Sequence, residues 1–302
     1  MPFSPSNLQL SSHFGIEWRV DPTPSLRREP EPSQMNARRF RSCAAQALAR
    51  IAVLVTFATA ANALGPSPID LALYGRLLET HTRSVPEVVG TRVDYAAIRE
   101  SADWQRLVAQ VHAARPSTLE RDERLAFWIN AYNILTIDLI RAHYPVDSIR
   151  DIGSFFFFTA RVWDIEVATI EGRSISLDEI ENEILRPMGD PRIHAAIVCA
   201  SISCPPLART PFRPNALDAD LDAAMRTWLA SQKKGIAIDR THHVVRISRV
   251  FDWFEEDFEA RGGVLPTIAE HVPQEDAAWL LKQGPDAAIR YFEYDWSLNG
   301  LE

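Results

Sequence analysis

Apolar residues recur along this chain in two rhythms, and a long N-terminal stretch carries neither. From Ile69 to Arg83, Leu71, Tyr74, Leu77 and Leu78 fall on one face, the 3.6-residue period of a helix packed on a core. A second helix is expected from Ala96 to Ala114, stopped by Pro116. A third, capped by Ser117 or Thr118, runs to about His143 before Pro145. In this third helix Leu125, Trp128, Ile129, Tyr132, Thr136 and Leu139 form a stripe, while Phe127, Ile134 and Ile137 occupy the opposite side. A helix that is apolar all round is a buried one. Asn130 and Asn133 are then buried amides that need hydrogen-bond partners.

Further on the rhythm shortens to two. Trp163, Ile165, Val167 and Thr169 alternate with polar neighbours, and Glu171-Gly172 turns the chain toward Ile175. Ser176 and Glu179 form a capping box that opens a short helix through Leu185. Arg192 to Cys199 reads as a core strand, followed by a proline-rich loop over 201–214. Asn215 caps a helix to about Ser231. A hairpin pairs Ile236–Asp239 with Val244–Ile247, and Ser248 opens an aromatic helix (Phe251, Trp253, Phe254, Phe258) that stops at Gly262-Gly263. Helices on either side of Pro273 and a strand from Ile289 to Trp296 close the chain. Helices dominate and the strands are short and not interleaved with them. The expected fold is α+β: a helix-rich single domain over 64–302, with short strands around a buried central helix.

The first sixty residues read differently. Residues 1–34 are rich in Pro, Ser and Arg without an apolar period, and are read as an annotation overrun ahead of a start at Met35. Residues 35–63 have the order of a secretory signal peptide. Arg38, Arg39, Arg41 and Arg50 precede the apolar run 51–60, and Ala61-Asn62-Ala63 supplies the small-x-small cleavage signal. The run is too short to span a bilayer, so cleavage after Ala63 leaves no stable membrane span and delivers the domain to the periplasm or beyond. Cys43 lies ahead of the apolar run and so is not an acylation site.

Composition then narrows the chemistry. Hydrophobic residues make up 46% of the 302 and charged residues 24%, the balance of a globular protein. The formal net charge of −8 argues against a nucleic-acid partner, which requires a basic face. No glycine-rich phosphate loop occurs, so no cofactor is expected. Cys199, Cys204, His194, His242 and His243 are metal-ligand types, but the cysteine spacing is not that of a zinc site, so no metal is expected. The partner left by these exclusions is a small molecule or a peptide.

Five segments carry the candidate chemistry: 126–133 (AFWINAYN), 177–186 (LDEIENEILR), 192–194 (RIH), 199–207 (CASISCPPL) and 294–299 (YDWSLN). With Phe251, Trp253, Asp257 and Phe258 they resemble the family called domain of unknown function 547, over roughly residues 70–299. The resemblance implies occurrence in bacteria and, fused to coiled coils, in plants. It implies no particular reaction.

Two readings of the residues therefore stand side by side. In one, Cys204, held by Pro205-Pro206 in an exposed turn, is a nucleophile and His194 its base. Asn130 or Asn133 orients the imidazole or donates to an oxyanion, and Glu181, Arg186 and Trp128 contact the substrate. This describes a thiol-dependent hydrolase or acyltransferase. In the other, Cys199 and Cys204 close a small disulfide in an oxidising compartment, and the domain is a non-catalytic binding or assembly module. On that reading the amides stitch the helix to a loop, and Glu181 lies on a solvated face with Glu179 and Glu183.

Overall fold

A computed structural model describes residues 67–155, 158–159 and 161–301. The leader assigned to 35–63, and the segment before it, lie outside these residues.

The helix Arg121–His143 is the axis of the fold. Nearly every residue from Leu125 to Ile140 is buried, as its all-round apolarity demands. It begins later than Ser117, because Pro116–Thr118 forms a separate 3-10 turn and Glu123 reaches back to the backbone N–H of Glu120 at 3.3 Å. Leu71–His81 and Ala102–Ala113 pack beside it. The expected helix from Ala96 to Ala114 is two helices. Ser101 breaks it by accepting the N–H of Trp104, so Tyr95–Arg99 ends and Ala102–Ala113 begins.

The strands are short, and the fold is helix-rich α+β. Glu166–Ile170 and Arg173–Ser176 pair as a hairpin, and the capping box follows: Ser176 Oγ accepts from Glu179 N at 3.1 Å, while Glu179 Oε2 accepts from Ser176 N at 2.8 Å. Val244–Ile247 is the middle strand of a three-stranded sheet, antiparallel to Ile236–Asp239 and parallel to Ala288–Tyr291. The terminal strand is thus shorter than the alternation to Trp296 predicts. Beyond Tyr291 the chain leaves the sheet and straps the loop after Cys199. Ile202 N donates to Ser297 O at 2.9 Å, and Asn299 N donates to Ala200 O at 2.9 Å.

The buried side chains form two clusters. One surrounds the central helix. The other, with Met225, Trp228, Phe251 and Phe258, lies under the three-stranded sheet. The segment after Arg192 joins them, with Ile193 and Ala196 in the first and Ala195 in the second. It is a one-turn helix, Ile193–Ala196, and not the expected strand. An unbroken buried apolar run fits either conformation. Here no neighbouring strand is needed, because the Asn133 side chain supplies the hydrogen bonds at the exit of the turn.

Candidate functional site

Where the two clusters meet, a cavity of about 370 Å³ opens. Its polar side is formed by Tyr132, Glu181, His194, Cys199, Cys204 and Tyr294. The central helix supplies Tyr132, the one-turn helix supplies His194, and the loop that follows supplies both sulfurs.

Asn133 sets that loop. Its Nδ2 donates to Ala196 O at 2.8 Å, and its Oδ1 accepts from Val198 N at 2.9 Å. Asn130 does the same for another segment, donating to Phe212 O at 2.8 Å and accepting from Phe212 N at 3.0 Å. Both amides are spent on backbone and neither lines the cavity, so neither orients the imidazole or faces an oxyanion. Trp128 is buried edge-on against Phe127, also away from the cavity.

Cys199 and Cys204 are unbridged. The structure therefore carries no disulfide to pin the loop. Ala200 follows Cys199 in the left-handed region, at φ 61°, which turns the chain back on itself. In that turn Cys199 N–H donates to Cys204 Sγ at 3.0 Å. Cys204 is 5% exposed, so the turn before Pro205-Pro206 is not the exposed one the prolines suggest. Its carbonyl accepts from the buried Lys234 ammonium, which also donates to Val89 O and Ile202 O. Burial lowers that lysine to about 8.

The two thiols differ in their surroundings. The Cys199 sulfur lies 3.2 Å from Ser201 Oγ and 3.3 Å from Tyr294 Oη, with the Cys204 thiol beside it. Ser201 Oγ donates to Tyr294 Oη at 3.1 Å, which leaves the phenol proton for the sulfur. The neighbouring Cys204 thiol first, and then the hydroxyls, outweigh burial and bring Cys199 down to about 6. Burial pushes Cys204 up, so it keeps its proton.

His194 is held elsewhere. Its Nε2 lies 2.7 Å from Asp257 Oδ2, and its ring stacks on Phe254 at 4.1 Å between centroids. Asp257 in turn accepts from Arg186 Nε at 2.7 Å and Nη2 at 3.0 Å. Burial lowers the histidine, favouring the neutral ring that donates through Nε2. Burial opposes the charge on Asp257, but the bonds from His194 and Arg186 outweigh it and hold it at about 2. Among the described residues, the ring hydrogen-bonds neither sulfur. Its Nδ1 instead stands 3.9 Å from Glu181 Oε1.

Glu181 is the acid the helix pattern misplaced. After Glu179 the helix widens into a π turn, Ile180–Leu185. Glu179 and Glu183 stay outside and pair with Arg173, whereas Glu181 turns inward, its side chain 13% exposed against 59% for Glu183. Burial raises its carboxyl to about 7, against the pull of the Tyr132 hydroxyl, which donates to Oε2 at 3.1 Å. Arg186 pairs with Asp257 and not with Glu181.

The candidate set is thus Cys199, with Cys204, Ser201 and Tyr294 around it, and Glu181 in the same cavity, beside His194, Asp257 and Arg186. Residues 116–229 match the model of a family described as Protein of unknown function, DUF547. Over that segment the chain is similar to the family. No curated protein and no solved structure matches the chain. The DUF547 segment contains Tyr132, Glu181, His194 and both cysteines, while Asp257 and Tyr294 come from beyond it. Among the described residues, no cluster of three or more His, Cys, Asp or Glu could hold a metal ion, and no helix is long and apolar enough to cross a membrane.

Sequence reasoning passed over Cys199 as a nucleophile and Asp257 as the partner of His194. Spacing does not show either role, since Tyr294 lies 95 residues from Cys199 and Asp257 lies 63 from His194.

Proposed function

We propose that this protein is an exported thiol-dependent acyl hydrolase or acyltransferase whose nucleophile is Cys199. The observation that carries the reading is the relay of Ser201 Oγ–H to Tyr294 Oη and of Tyr294 Oη–H, 3.3 Å away, to one unbridged sulfur in a cavity, with the Cys204 thiol beside it. A thiol so surrounded is a thiolate near neutral pH, and the thiolate is the attacking form. Export is supported by the basic-apolar-small order of residues 35–63.

Glu181 supplies the proton the reaction needs. The Cys199 thiolate attacks the acyl carbon, a C–S bond forms, and the bond to the leaving oxygen or nitrogen breaks as the Glu181 carboxyl protonates it. Water or an acceptor hydroxyl then gives a proton to the Glu181 carboxylate and attacks the thioester, restoring the thiolate. A carboxyl at about 7 is matched to both halves of that exchange. His194, fixed by Asp257 and Arg186, is a positioning residue that walls in Glu181.

The test is a covalent adduct. With p-nitrophenyl acetate and reductant, peptide mapping is expected to find the acetyl group on Cys199. Cys199→Ser abolishes the adduct, and Cys204→Ala retains it at a lower rate. Acylation of Cys204 in its place, or none on a folded protein with free thiols, would overturn the assignment.

A further inference from the structure

One wall of the cavity is aromatic. Trp253 and Trp296 stack with planes 18° apart and centroids separated by 5.7 Å, and Tyr294 lies 4.8 Å from the first and 4.6 Å from the second. Trp163 meets Trp296 edge-on at 5.7 Å. Trp253 is 45% exposed, an unusual state for a tryptophan stacked in a cluster. The faces of this wall already take cations. The Arg150 guanidinium lies 5.1 Å from the Trp296 centroid, and that of Arg186 lies 5.3 Å from Phe254. Among the described residues, no such group covers Trp253.

Charge around the cavity points the same way. The single arginine among the lining residues, Arg161, is neutralised by Asp164 and Asp178. Arg186, behind the cavity, is engaged by Asp257. Glu181 forms no ion pair with an arginine or lysine among the described residues. Aromatic faces present a negative quadrupole, and together with Glu181 they attract a positive group and repel an anion.

We infer that the cavity takes a ligand bearing an ammonium or quaternary ammonium group, seated against Trp253 and Trp296 and facing Glu181. Calling that ligand a substrate rests on the thiol reading above; the binding itself does not. The reaction would then act on an acyl derivative of a cationic alcohol or amine. A neutral aromatic or sugar ring also stacks on such a wall, and Glu181 is the reason to prefer the cation.

Choline is a suitable probe, because it has no acyl group and cannot react with a thiolate. Tryptophan fluorescence of the whole protein, titrated with choline, is expected to change saturably. The neutral carbon isostere 3,3-dimethylbutanol should bind about tenfold more weakly, Trp253→Ala should weaken choline by a similar factor, and Glu181→Gln should weaken it about threefold. Acetate should give no saturable change. Trp163 and Trp296 preserve the signal in the Trp253 variant. Equal affinity for choline and its isostere, preferred binding of acetate, indifference to both substitutions, or no choline response would each overturn the inference. Choline binding with no acyl adduct on Cys199 would sink the thiol reading alone. An adduct without choline binding would sink the cation site alone.

Discussion

Glu181→Gln should make the protein harder to unfold than the parent at about pH 8 and leave it nearly unchanged at about pH 4. The folded state raises this carboxyl from 4.5 to about 7, so between those values the folded chain holds a proton that the unfolded chain has lost. The stability the protonated form provides is therefore complete below 4.5 and is lost as pH rises through about 7. A shift of that size corresponds to roughly 3 kcal/mol, and the neutral amide escapes it while its oxygen still accepts the Tyr132 hydroxyl. Urea unfolding at the two pH values measures the difference directly. A variant that is equally stable relative to the parent at both would mean that Glu181 is solvated and not buried against the cavity.

The second large effect concerns Asn133. Its replacement by alanine strips a partner from Ala196 O and from Val198 N, both buried. Each stranded backbone group costs about 1–3 kcal/mol, so a loss of roughly 2–6 kcal/mol is expected in denaturant unfolding. The loop that presents Cys199 begins immediately after these groups. The same variant should lose selective labelling of Cys199 under conditions where it remains folded. A loss below about 0.5 kcal/mol would show that the amide is not the support of that loop.

Much of the architecture was legible because the local signals agree with burial. The hairpin Ile236–Asp239/Val244–Ile247 follows its alternation, with Ile236 opposite Ile247 and Asp239 opposite Val244. The central helix follows its all-round apolarity, and the Ser176–Glu179 box forms as its spacing requires. The one-turn helix at Ile193 was not legible, because six buried residues in a row carry no period to choose a conformation. What settles it is Asn133, more than sixty residues earlier, satisfying the backbone that a strand would have paired.

The site was legible in its membership and not in its roles. His194, Glu181, Cys199 and Cys204 line one cavity, but sequence spacing favoured Cys204 because two prolines follow it. The distinction between the sulfurs is made by Tyr294, which the C-terminal strap carries to Cys199, and by burial that closes over Cys204. Glu181 looked like one of three exposed acids until the π turn rotated it inward, and a one-residue change of helical register leaves no trace in a hydrophobic pattern.

Catalysis by this route requires Cys199 to be ionised where an ordinary thiol is not. The direct measurement is the rate of iodoacetamide labelling at the Cys199 peptide as a function of pH, with reductant present and the fold monitored by circular dichroism. The rate should reach half its maximum near 6, as the pair of thiols loses its first proton. In Cys204→Ala, which removes the neighbouring thiol, the midpoint should move toward the ordinary thiol value of about 8.5. A midpoint at that ordinary value in the unaltered protein, or faster labelling of Cys204 than of Cys199, would contradict the account.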